Sequence, residues 1–176
     1  MVSFGSSEIA SSVFMENSTY QKIVSLNNAT IGNDLVIDGS SFDKKLVMNS
    51  IKIKGKVLLR EITAKGGLSM MNSTIDNLLV MHNSKFGGYV SLHNVAIGSH
   101  LVMTSGMYSD KVGIRSAKIG QDIIFAGSDL KNVDLSNRHS LHMRLFILAK
   151  VIKNILNPKI WIQYIEIGFN PTYATC

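Results

Sequence analysis

The sequence predicts an all-β solenoid: a four-sided parallel β-helix with twenty-two residues per coil and a helical cap at its C-terminal side. Three observations carry the prediction. From Ile9 to Leu130 an apolar residue recurs at every eleventh position, without one slip of register across twelve consecutive units. Within each unit the inward residues come two apart, which is the spacing of a strand. The pairs are parted by stretches such as Gly32-Asn33-Asp34, Gly66-Gly67 and Gly87-Gly88, whose residues favour turns.

Counted from Gly5, the units run from GSSEIASSVFM to AGSDLKNVDLS, with apolar residues at the fifth, ninth and eleventh positions and usually a small one at the third. The fifth position alternates. Odd units carry Ile9, Ile31, Ile53, Ile75, Ile97 and Ile119, whereas even units carry Tyr20, Phe42, Ala64, Phe86, Tyr108 and Leu130. The true period is therefore two units, which make one coil with an isoleucine ladder on one wall and a largely aromatic ladder on another. Ala64 is preceded by Ile62 where even units otherwise have Ser or Gly, so large and small have traded places, as a volume-conserving core requires. Met48, Met70, Met81 and Met103 fall on the eleventh position and belong to the core. Six coils at about 4.8 Å per stacked strand give a rod roughly 30 Å long.

The small-x-large pattern in Ser40-Ser41-Phe42, Ser84-Lys85-Phe86, Ala117-Lys118-Ile119 and Ser128-Asp129-Leu130 resembles the pentapeptide-repeat family. The resemblance spans Gly5 to Ser136 and implies a right-handed, four-sided β-helix. The chain departs from the family by alternating gaps of six and five residues, and by placing Thr, Ser or Lys where Asp or Asn is usual. Those departures resemble the degenerate β-helix modules of secreted bacterial effectors, including the N-terminal part of HECT-like ubiquitin ligases. The family's best-known activity, in which an acidic rod imitates duplex DNA and binds gyrase, needs regularly spaced negative charge. Residues 5–136 carry a net charge of +2 and residues 137–176 a net charge of +4. The rod is thus slightly basic, and no nucleic-acid role is expected.

The predicted organisation is a repeat domain over 1–136, a capping helix over 137–157 and an irregular or truncated tail over 158–176. Leu141 to Leu156 reads as a helix, with Leu141, Leu145, Leu148, Ile152 and Ile155 on one side and Asn157-Pro158 as its stop. Just before it the last unit contracts, so that Val133 and Leu135 take the ninth and eleventh core places one step early. A helix laid there would cover the open backbone groups of the final coil. The same stretch supports a rival reading. Arg144, Lys150, Lys153 and Lys159, mixed with Phe146, Trp161 and Tyr164, make residues 141–169 a basic interfacial segment for a membrane surface. It is too interrupted to span one, since Pro158 divides it. Lys159 to Phe169 reads equally as a strand or a second helix. At the other end, Val2 and Phe4 already occupy the ninth and eleventh positions of a preceding unit. Either the chain belongs to a longer protein, or its open N-terminal coil stacks on a second copy.

Little in the sequence speaks for chemistry. A single cysteine, Cys176, leaves no disulfide framework and no paired-thiol or zinc motif. The N-terminus lacks the basic flank and apolar run of a classical signal peptide. That places the protein in the cytoplasm of the producing cell, or in a host reached by specialised secretion. No nucleophile elbow, phosphate loop or dinucleotide fingerprint occurs, and Asp34, Asp38 and Asp43 fall on different corners. His82 and His93 lie on opposite corners of the coil, and His139 and His142 have no third ligand at metal spacing. Acceptor patterns for glycosylation at Asn17, Asn28 and Asn72 follow from the corner chemistry of the repeat. No catalytic, cofactor or metal residue is therefore assigned. The expectation is a non-enzymatic scaffold or protein-interaction module, bacterial and part of a larger effector-like protein. Its partner surface is the densest basic cluster, Lys52, Lys54, Lys56, Arg60 and Lys65. Peripheral membrane attachment is the alternative.

Overall fold

The computed structural model describes residues 1–135, together with the backbone of a short strand at Leu145–Phe146. Each eleven-residue unit forms one two-residue strand at its fourth and fifth positions and another at its ninth and tenth, except the last, whose second strand is at the eighth and ninth. Strands this short have no stability of their own, so the fold exists only through stacking. They stack in parallel as four sheets of seven, six, seven and six strands. Wall 1 runs from Val2–Ser3 to Val133–Asp134, wall 2 from Glu8–Ile9 to Lys118–Ile119, wall 3 from Val13–Phe14 to Leu145–Phe146, and wall 4 from Thr19–Tyr20 to Asp129–Leu130. Partners in the register are one coil apart, as in Ile53 with Ile75 and Phe86 with Tyr108. Coils are numbered below from Gly5, so that coil 2 is 27–48 and coil 3 is 49–70.

The fifth, ninth and eleventh positions fill the interior. Ile31, Ile53, Ile75, Ile97 and Ile119 form a buried column on wall 2, with Ile9 partly buried at its start. On wall 4 the ring of Tyr20 stacks on Phe42 at 5.0 Å, and Phe86 stacks on Tyr108 at 5.4 Å. Ala64 separates the two stacks, with Ile62 buried beside it. Met48, Met70, Met81 and Met103 are wholly buried.

The small third position has a second task besides spacing. Ser84 Oγ donates to the Leu59 carbonyl at 2.6 Å and accepts from the Ile62 amide at 3.2 Å. Ser40, Ser73 and Ser128 repeat the arrangement. A buried hydroxyl thus satisfies corner backbone groups of the preceding coils, which would otherwise be costly to bury.

At the corners, the second position of every unit has positive φ: 49–59° at ten non-glycine residues from Ser6 to Ser116, and 66° and 69° at Gly39 and Gly127. Glycine and asparagine tolerate this region best. Asn17, Asn28 and Asn72 all occupy it, which gives the Asn of the repeat a backbone reason.

The last unit contracts in space as it does in sequence, since Val133 pairs with Val112 twenty-one residues earlier. The capping helix, the tail and the membrane segment expected beyond Leu135 lie outside the described residues, apart from Leu145–Phe146. These two residues form a strand paired with Ile123–Ile124, and Leu145 follows Ile123 by one full coil.

Candidate interaction surfaces

The five basic residues of the sequence cluster are distributed around coil 3. Lys52 points out from wall 2, and Lys54 and Lys56 flank Gly55 at the corner leading to wall 3. Arg60 lies beyond wall 3, and Lys65 lies beyond wall 4. Three of them are matched along the stack. Lys56 pairs with Asp34 at 3.7 Å, Arg60 with Asp38, and Lys65 with Asp43 at 2.6 Å, each carboxylate standing one coil earlier. Asp34 and Asp38 also accept the Lys56 and Arg60 amides at 2.9 and 2.8 Å. The hydrogen bond and charge of Lys65 hold the Asp43 carboxyl below its usual range. The coil therefore sends the three aspartates to separate corners and gives each a basic partner.

The outer faces differ sharply in character. Wall 2 presents Glu8, Thr30, Lys52, Thr74, Ala96 and Lys118, and wall 4 presents Thr19, Ser41, Thr63, Lys85, Met107 and Asp129. Wall 1 presents mostly small residues, among them Ser25, Ser69, Ser91 and Gly113. Wall 3 is apolar at every described coil: Phe14, Val36, Leu58, Val80, Val102 and Ile124. Phe14 is 66% exposed, Leu58, Val80, Val102 and Ile124 are half-buried, and Val36 is buried. Together they make an apolar column along one side of the rod, most exposed at Phe14. It was present in the sequence as a second alternation, at the tenth position, hidden because that position points outward and takes no part in the core.

Two polar rails border this stripe. One holds Ser12, Asp34, Lys56, Leu78, His100 and Asp122, and the other holds Glu16, Asp38, Arg60, His82, Thr104 and Ala126. His82 Nδ1 lies 2.9 Å from Thr104 Oγ1, and His100 Nδ1 lies 3.5 Å from an Asp122 carboxylate oxygen. The rails change sign along the rod, from acidic at coil 2 to basic at coil 3.

Wall 1 carries the densest polar group. The Tyr89 hydroxyl and His93 Nε2 hydrogen-bond across the outer face, against Gly113 of the next coil, where a Cβ would collide with both. Asp134 above them pairs with Lys111 at 3.0 Å and with Arg115 at 2.8 Å. Burial, and then the charge of Arg115, push the His93 imidazole below its ordinary value. Ser91 Oγ and His93 Nδ1 are both buried without a hydrogen-bond partner. The histidine thus engages Tyr89 and not the nearby Ser91. His93 and His82 lie beyond opposite walls, and no group of three metal-ligating side chains occurs among the described residues. A shallow hollow on wall 2 is lined by Thr74, Asp76, Ala96, Gly98 and Lys118. No helix among the described residues is long and apolar enough to cross a membrane.

Comparison of the chain with protein-family models, with curated proteins and with solved structures finds no match.

Proposed function

We propose that the protein is a non-catalytic β-helix scaffold that docks a protein partner on the outer face of wall 3. The observation that carries this reading is the apolar column from Phe14 to Ile124, buried only at Val36, on a rod whose other outer faces are largely polar or small. Such a stripe offers apolar area for association without any change of shape. Mutually paired charges on the rails provide a polar rim, the common anatomy of a protein interface. The basic cluster contributes through Lys56 and Arg60, which border the stripe, whereas Lys52, Lys54 and Lys65 face elsewhere. The pentapeptide-like repeat supports a place as the scaffold module of a larger bacterial, effector-like protein.

Photo-crosslinking tests the docking face. A photoreactive residue at position 80, outward on wall 3, should give a crosslinked protein product in the producing cell. The same group at position 74, outward on wall 2, should not. No product from position 80, or the same product from both, would overturn the proposal.

A further inference from the structure

The order of charges along the wall 3 rails selects a partner. We propose that the face binds a second copy of this chain, with the two rods antiparallel about a two-fold axis. That axis runs along the strand direction between coils 2 and 3. The inference rests on the docking reading above and adds the occupant.

Coil 2 bears a carboxylate on both rails, Asp34 and Asp38, and coil 3 bears a cation on both, Lys56 and Arg60. A two-fold contact must be self-complementary, because residue i meets residue j wherever j meets i. Rotation about the stated axis reverses the rod but keeps each rail upon itself. Asp34 then faces Lys56 of the second copy, and Asp38 faces its Arg60, with both contacts repeated by symmetry. Each intrachain ion pair meets an identical pair in reversed order, so two exposed pairs become a four-charge array on each rail. The same rotation places Phe14, the most exposed residue of the stripe, on the half-buried Val80. Glu16 comes opposite His82.

The parallel alternative fails on the same residues. A two-fold axis along the rod would set each coil against itself and swap the rails. Asp34 would then meet Asp38, and Lys56 would meet Arg60. Like charges opposed across an interface exclude that pairing. Charge therefore fixes both the orientation and the offset, while the apolar stripe supplies the attraction. The overlap covers four coils, a small contact of the transient class.

Sedimentation equilibrium of the purified full chain tests the proposal with two charge-reversed variants. Lys56→Asp/Arg60→Asp leaves coils 2 and 3 both acidic, and Asp34→Lys/Asp38→Lys leaves both basic. Wild type should dimerise, each variant alone should be monomeric, and their equimolar mixture should recover a heterodimer. Asp34 and Asp38 also hold corner amides, so Val80→Lys, which leaves both rails intact, serves as the second variant and should likewise abolish the dimer. A wild type that stays monomeric at the highest concentration at which the chain is soluble overturns the second copy as occupant. So does a mixture of folded variants that stays monomeric, or a Val80→Lys chain that dimerises as wild type does. In those cases a crosslink from position 80 to a different protein would still leave the docking face standing, whereas no crosslink at all would remove both.

Discussion

Ile62 and Ala64 exchange roles within coil 3: the third position carries the large side chain, the fifth carries the small one, and both are fully buried. The aromatic column is thereby split into the Tyr20–Phe42 and Phe86–Tyr108 stacks. A close-packed interior holds this exchange in place, because neither position has room to change alone.

The exchange should be reversible as a pair. Ala64→Phe should cost about 1–3 kcal/mol by overpacking, and Ile62→Ser about 2–4 kcal/mol by opening a cavity. Together they restore the pattern of the neighbouring even units, in which the serine hydroxyl caps a corner carbonyl and the ring joins the column. Urea unfolding should find the double variant more stable than the sum of the two single effects by at least ~1 kcal/mol. Additive losses would show that the two sites are not coupled.

Inward and outward positions should differ steeply along wall 2. Ile75→Asp places an unpaired charge between two coils and should cost more than about 4 kcal/mol, enough to unfold much of a marginally stable domain. Thr74→Asp, one residue earlier and exposed, should stay within about 0.5 kcal/mol of wild type. Thermal unfolding followed by circular dichroism checks both, and equal sensitivity would contradict the assignment of the two faces.

The corner backbone makes a prediction in the opposite direction. Glu61 holds a φ of 58° without the short polar side chain or the missing Cβ that eases that conformation. Glu61→Gly should therefore stabilise the protein by up to about 1 kcal/mol in denaturant unfolding, even though glycine loosens the unfolded chain. A loss of similar size would mean that the strain at this corner is negligible.

Most of the architecture is legible in the chain because stacking makes sequence period and spatial period the same quantity. Ile9 through Ile119 reveal the two-unit coil, and Val133 reveals the contraction of the last one. The ion pairs of Asp34, Asp38 and Asp43 with Lys56, Arg60 and Lys65 also follow once the coil length is known, but they link residues that local inspection never compares. The apolar face of wall 3 stayed hidden for a different reason. Phe14, Leu58 and Val80 are outward residues, and a reading organised around the core gives outward positions no weight. Tyr89 and His93 meet only because Gly113, in the next coil, leaves space for them, a dependence that no local motif expresses.

That cluster gives the protein a defined response to acid. The folded state depresses the His93 pKa below 6.5 through burial and the charges of Arg115 and Lys111, with Asp134 opposing. The unfolded chain then binds the proton more readily than the folded one, so the contribution of His93 is complete above pH 6.5 and is lost as the pH falls through the folded value. Unfolding free energy should decline from pH 7 to pH 5, and His93→Gln should flatten that decline. An unchanged slope in the variant would assign the pH dependence to other groups. Below about pH 4 a further loss should follow as Asp43, whose pKa is depressed by Lys65, takes up its proton.

The claim that wall 3 is a docking face is tested most directly by the crosslinking yield from position 80 in chains with and without Leu58→Lys. Leu58 points outward from the adjoining coil, so the substitution should leave the melting temperature within about 2 °C of wild type. A lysine inside the stripe should nevertheless reduce the yield about tenfold, the change expected when roughly 1.4 kcal/mol of association free energy is lost. An undiminished yield from a folded Leu58→Lys chain would contradict the account.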